Sequence, residues 1–163
     1  MRKLTGKSVK HWFITELGHE KTERLHLHGI VWGLGNGKKI TDNWKYGITF
    51  TGYFVNEKTI NYITKYILKI DEKHPKFRGK VLCSAGIGAG YLKREDAKRH
   101  VYTPGKTNAY FLTLTIDDKS YKQLKQKYEL KDNNDIATKA IRLCLERVRK
   151  LTCKYRDWET GKK

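Results

Sequence analysis

The sequence predicts an α+β fold built on an antiparallel sheet. Two stretches rich in β-formers, 11–17 (HWFITEL) and 24–32 (RLHLHGIVW), are separated only by the short polar segment Gly18 to Glu23, the signature of an antiparallel hairpin. A third stretch, 109–116 (AYFLTLTI), is the strongest strand pattern in the chain. Residues 135–151 carry helical spacing, and hairpin-type strands with separate helices belong to the α+β class rather than to an alternating parallel one.

The remaining elements follow in order. Residues 33–38 (GLGNGK) predict a turn, 47–55 (GITFTGYFV) a strand and 58–70 a helix. Gly79 to Gly90 is a glycine-rich loop with a short apolar start at Val81-Leu82, and 91–107 is basic and irregular. A polar stretch follows 109–116. The last helix gathers Ile136, Ala140, Ile141, Cys144, Leu145, Val148 and Leu151 on one side. Asn133, Asn134 and Asp135 supply its N-cap, and Arg147, Arg149 and Lys150 stand where the helix dipole favours cations. No linker or low-complexity segment divides the chain, so residues 1–163 are expected to form a single domain.

Composition narrows the function. The 163 residues hold 35 Lys+Arg against 17 Asp+Glu, a formal net charge of +18, at a mean hydropathy of −0.74. Such a surface attracts polyanions, nucleic acid first. Four Trp and ten Tyr among the basic residues favour an unpaired strand, whose bases can lie on aromatic faces. No apolar stretch approaches the ~20 residues of a membrane span, and no apolar signal core follows Met1-Arg2-Lys3. Cys83, Cys144 and Cys153 are too far apart for a CxxC site or a disulfide framework, so a reducing, cytoplasmic setting is expected.

Two sets of residues carry chemistry. His26 and His28 are two apart in a strand, so both imidazoles point to one face, where they can share a divalent metal. Glu16, at the end of the neighbouring hairpin strand, is the natural third ligand, and this mixed N/O set suits Mn or Mg. A strand HxH is also an ordinary half-buried pair. His11, His19, His74 and His100 have no such arrangement and read as surface residues.

The second set lies on the 58–70 helix. With about 100° per residue, Ile60, Ile63, Ile67 and Ile70 share one arc, while Tyr62, Lys65, Tyr66 and Lys69 share another about 130° away. Each tyrosine has a lysine three residues on. An ammonium there can stabilise a tyrosinate, which needs help because the unperturbed tyrosine pKa is ~10. The arrangement suits covalent attack on a phosphodiester. The plainer alternative is a helix with rim-packed tyrosines and solvated lysines.

Together these residues resemble the HUH endonucleases, and more narrowly the rolling-circle replication initiators of microvirus-like phages and related plasmids. The likeness rests on Glu16-Leu17-Gly18, Arg24-Leu25-His26-Leu27-His28-Gly29, Tyr62-Ile63-Thr64-Lys65-Tyr66-Ile67-Leu68-Lys69 and Ser84-Ala85-Gly86-Ile87-Gly88. It implies a central antiparallel sheet flanked by helices. It implies Glu16, His26 and His28 as metal ligands, Tyr62 and Tyr66 as nucleophiles assisted by Lys65 and Lys69, and a divalent metal cofactor. The partner it implies is single-stranded DNA at a replication origin, with host replication proteins alongside. One tyrosine would form a 5′-phosphotyrosine and free a 3′-OH, and the other would carry the second transfer. Both tyrosines satisfy Tyr-x-x-Lys, so spacing does not say which attacks first.

The order of elements departs from that family. Its first strand, of the type FLTLT, and the helix after it should precede Glu16. Here Phe111-Leu112-Thr113-Leu114-Thr115 comes late and the 135–151 helix follows it. Arg2-Lys3-Leu4-Thr5 also recurs as Arg149-Lys150-Leu151-Thr152. A circular permutation accounts for both, and it predicts that 109–116 pairs with the histidine strand and that the helix end lies near Lys7. An unrelated edge strand is the alternative.

Ser84-Ala-Gly-Ile-Gly-Ala-Gly is not GxxxxGK[ST], so no nucleotide-binding P-loop is present. By resemblance the loop contacts DNA through Ser84, and Lys93 and Arg94 track phosphates. A transposase or relaxase of the same chemistry, or a non-catalytic module for single-stranded nucleic acid, would share many of these features.

Overall fold

A computed structural model describes residues 9–18, 23–33, 38–68, 72–95 and 109–159. Its elements are β1 (Lys10–Leu17), β2 (Leu25–Trp32), α1 (Lys38–Asn43), β3 (Thr49–Phe54), α2 (Glu57–Leu68), β4 (Val81–Cys83), β5 (Ala109–Ile116), α3 (Asp118–Lys127) and α4 (Asn133–Glu159). The strands form one antiparallel sheet in the order β3-β5-β2-β1-β4. The α+β class and the antiparallel hairpin of β1 and β2 are thus observed.

Strand alternation gives the sheet two different faces. One carries Phe13, Leu17, Leu25, Leu27, Val31, Leu112, Leu114 and Ile116, all buried in the main core. α4 covers it with Ile136, Ala140, Ile141, Cys144 and Val148, while Ile40 of α1 and Leu124 of α3 close its sides. Burial pushes the Cys144 thiol up to about 12, so it is an inert core residue. The other face carries Ile14, Ile30 and Phe111, and α2 lies on it through Ile63. His26, His28 and Glu16 occupy this second face.

β2 is the central strand. It pairs along its whole length with β1, from Lys10↔Trp32 to Leu17↔Leu25, and with β5, from Leu25↔Ile116 to Trp32↔Ala109. The segment 109–116 is therefore an interior strand beside the histidines. Lys7 lies outside the described residues.

Several elements differ from the sequence expectation. The polar stretch after β5 is a helix, α3, started by Asp117, whose side chain accepts from the Ser120 amide at 2.7 Å. Its pattern is weak because only one turn-facing apolar residue, Leu124, reaches the core. Val81–Cys83 pairs with Trp12–Ile14 as an edge strand, too short to show alternation in sequence. Lys38–Asn43 is a helix, although it borders the expected turn.

The isoleucine arc is the clearest correction. Ile63 is buried, but Ile60 is 42% exposed and Ile67 is 49% exposed. The helix is turned so that Tyr62, Ile63 and Tyr66 meet the sheet. This contact is half polar because the sheet face beneath it holds histidines and threonines as well as Ile14 and Ile30.

Gly29 follows from the same packing. A Cβ there would overlap the Phe13 ring and the Trp12 carbonyl. Gly29→Ala is expected to cost at least about 2 kcal/mol, at the upper part of the range for overpacked cores. Denaturant unfolding checks this, and a midpoint equal to wild type would refute the close approach.

Candidate functional site

The site is assembled from β1, β2, β5 and α2. Glu16 is the register partner of His26 across the hairpin. On the opposite side, Thr115 pairs with His26 and Thr113 with His28. Both threonines lie on the histidine face because β5 alternates in step with β2.

Their hydroxyls reach the same nitrogen of each ring. Thr115 Oγ1 lies 3.1 Å from His26 Nδ1, and Thr113 Oγ1 lies 3.2 Å from His28 Nδ1. Each imidazole therefore directs Nε2 away from β5. His28 Nε2 stands 2.8 Å from Glu16 Oε2, with both side chains mostly buried. The two rings are 6.2 Å apart and nearly parallel. Two imidazoles, a carboxylate and hydroxyls holding the far nitrogens are the donor set and outer shell of a divalent site. Glu16 and His28 bond directly to each other, and among the described residues no three such side chains already converge on one point.

Burial lowers the pKa of His26, and the neighbouring His28 and Arg24 push it the same way, against the pull of Glu16. Arg24 carries a buried Nε with no hydrogen-bond partner among the described residues.

α2 brings the tyrosines onto this group. Asn56 caps the helix, accepting from the Thr59 amide at 3.0 Å. Further along the helix, Tyr66 stacks on His28 with ring centres 4.5 Å apart and planes within 9°. Tyr62 meets His28 edge-on at 6.3 Å and Phe111 at 5.8 Å. The Tyr66 hydroxyl donates to the Tyr62 oxygen at 2.6 Å. Burial raises the Tyr66 pKa, and the Tyr62 hydrogen bond and the negative charge of Glu16 raise it further. Lys65 Nζ sits 4.1 Å over the centre of the Tyr62 ring and 5.1 Å from that of Tyr66. Lys69 lies outside the described residues.

Residues 1–71 match the family of replication-associated proteins of the ORF2 type. The matched stretch contains Glu16, His26, His28, Tyr62, Lys65 and Tyr66, and it ends before β5. Similarity to this family is consistent with a replication initiator. No curated protein and no solved structure matches the chain. Among the described residues, no helix is long and apolar enough to cross a membrane.

The proposed DNA contacts stand apart from the cluster. Ser84 is half-buried and hydrogen-bonded at 3.0 Å to His11 Nδ1, which also contacts the Val9 carbonyl at 2.8 Å. His11 is thus not a plain surface residue: it ties β1 to the segment after β4. His74 is likewise partly buried, 3.3 Å from Glu23. His11 is five residues from Glu16, roughly 17 Å along an extended strand. Lys93 and Arg94 are exposed beyond the glycine loop.

That loop has a definite form. Ile87, Ala89 and Tyr91 amides donate to the carbonyls of Ser84, Gly86 and Gly88, giving three overlapping turns. Gly86, Gly88 and Gly90 occupy their third positions at φ of 82, 78 and 75°, which type II turns require. The alternating glycines serve backbone geometry.

Sequence reasoning missed Thr113, Thr115 and Phe111 as site residues. The T-x-T alternation in AYFLTLTI mirrors H-x-H, but only the pairing register sets them together.

The His26 shift has a consequence for stability. The unfolded chain binds a proton near the ordinary histidine value of ~6.5, while folded His26 binds it only at lower pH. Stability present above about pH 6.5 is lost as pH falls through the folded value. In EDTA, unfolding free energy should decline on acidification from pH 7.5 to 5, and His26→Gln should flatten that slope. An unchanged slope in the variant would refute the buried-histidine assignment.

Proposed function

We propose that this chain is a metal-dependent, site-specific single-stranded DNA endonuclease and strand transferase that initiates rolling-circle replication through a 5′-phosphotyrosine. The observation that supports this most is the placement of two hydroxyl-bonded tyrosines directly against the Glu16–His28 pair. The match of this stretch to replication-associated proteins and the likeness to HUH initiators support it further.

Glu16, His26 and His28 would hold Mn or Mg, exchanging the Glu16–His28 hydrogen bond for coordination. When bound, the cation would supply Lewis-acid polarisation of the scissile phosphate. Arg24, beside His26 with an unpartnered buried Nε, would donate to a phosphate oxygen.

Tyr62 is the first nucleophile in this reading. It is 41% exposed, it is nearer Lys65 than Tyr66 is, and its oxygen accepts from Tyr66. Attack by Tyr62 Oη on phosphorus forms the phosphotyrosine bond and breaks the bond to O3′. The phenolic proton is lost, and the departing O3′ takes up a proton to become the priming 3′-OH. Tyr66 holds its own proton firmly and so can stabilise the Tyr62 oxyanion as a hydrogen-bond donor. By the resemblance, Tyr66 carries the second transfer that closes the released circle.

Circular permutation belongs to the same reading. β5 lies beside β2 in the sheet although it follows the family-matched stretch in the chain, and this supports a displaced first strand. The expected setting is the cytoplasm, at a replication origin with host replication proteins.

The test is adduct formation on labelled single-stranded oligonucleotides with Mn²⁺, read on a denaturing gel. Wild type should give a denaturant-resistant adduct that EDTA abolishes. Tyr62→Phe should abolish the first adduct, and Tyr66→Phe should slow it on the order of 10²-fold, the cost of one oxyanion donor. Tight binding without an adduct on any sequence would instead favour the non-catalytic binding module. Separately, Mn²⁺ at 100 times its dissociation constant should raise unfolding free energy by about 2.7 kcal/mol, and His26→Ala/His28→Ala should remove that gain. An equal gain in the variant would refute the ligand set.

A further inference from the structure

Beside Tyr62, on the side away from Glu16, the sheet face opens into a cavity of about 500 Å³. That volume is within the ~300–1,000 Å³ of small-ligand sites. Phe50 of β3 and Phe111 of β5 line it from the sheet, and Tyr62 walls it from α2. Asn56, Thr59 and Lys58, at the start of α2, complete the rim.

Three features define its chemistry. First, it is aromatic where an isolated edge strand should be polar. Phe50 is 50% exposed and Ile48, two residues before it, is 70% exposed. Edge strands ordinarily avoid such exposure. Second, its floor is rigid. A Cβ on Gly52 would come within 2.7 Å of the Phe111 ring, so that ring lies flat against the β3 backbone. Third, its rim offers amide and hydroxyl groups beside a lysine, within a chain of net charge +18. A flat π-system with a polar edge and an attached anion matches all three.

Position completes the argument. Phe50 pairs with Thr113, and Thr113 with His28, so the pocket is two strands, roughly 10 Å, from the histidine. Tyr62 bridges that distance, touching Phe111 on one side and His28 on the other.

We infer that this cavity is a base-recognition pocket, in which one unpaired nucleobase of a DNA strand stacks on Phe50 beside the phosphate presented to Tyr62. The inference rests on the nuclease reading for the position of the phosphate. Stacking on Phe50 itself needs no cleavage, so the two can fail separately.

The experiment measures binding of fluorescein-labelled dT15, dA15 and dC15, and of a 15-mer of abasic deoxyribose phosphate, by anisotropy in EDTA. Phe50→Ala should weaken the tightest homopolymer about tenfold, the usual loss for one base–aromatic stack. It should leave the abasic strand unchanged. Phe50→Trp should restore wild-type affinity, and the same thermal midpoint in all three proteins excludes unfolding. Irradiation with 5-iodo-dU 15-mers should crosslink the peptide containing Phe50 or Tyr62. Equal affinity of wild type and Phe50→Ala for every homopolymer, or equal losses on the abasic strand, would overturn the pocket even if the phosphotyrosine adduct forms. The coupling to bases without any adduct on any sequence would keep the pocket and overturn the nuclease reading.

Discussion

β2 is hydrogen-bonded along its whole length on both sides, and everything at the candidate site hangs from that register. Side chains alternate with a period of two, so a one-residue slip against either neighbour would exchange the faces. His26 and His28 would lose Glu16 on one side or their threonines on the other. The apolar set on the opposite face prevents this. Leu25, Leu27 and Val31 are buried with Phe13, Leu112, Leu114 and α4, and any slip would bring the polar set into that core. The hydrophobic face thus positions the polar one without touching it.

The polar face in turn decides how α2 lies. An all-apolar contact would have used the isoleucine arc, but the surface below contains imidazoles and hydroxyls next to Ile14, Ile30 and Phe111. Tyrosine satisfies both demands, with a ring that stacks and a hydroxyl that stays paired. Tyr66 therefore lies on His28, and Tyr62 follows one turn away with its oxygen bonded to that of Tyr66. Ile60 and Ile67 are left facing outward as the consequence.

The same geometry separates roles that look equivalent in sequence. Tyr62 and Tyr66 each have a lysine three residues on, but one is at the mouth of a cavity and the other is pressed against a histidine beside a carboxylate. Burial and the negative charge of Glu16 hold the proton on Tyr66. The glycine loop shows the converse. Its alternating glycines invite a ligand-binding reading, yet each answers a local turn requirement, and its Ser84 is engaged by His11.

Much was legible in the chain alone. Alternation and helical spacing are local properties, so β1, β2, β5 and the core of α4 could be read directly, as could the pairing of His26 with His28 and the approach of Glu16 across a short hairpin. α3 and β4 escaped because one is nearly all polar and the other too short to display a period. What only the tertiary structure decided were contacts between segments far apart in sequence. Thr113 and Thr115 meet the histidines across more than eighty residues, and Phe50 and Phe111 frame a cavity against α2. The rotation of α2 also belongs here. A helix carries several faces at once, and the one it buries is chosen by the surface that receives it.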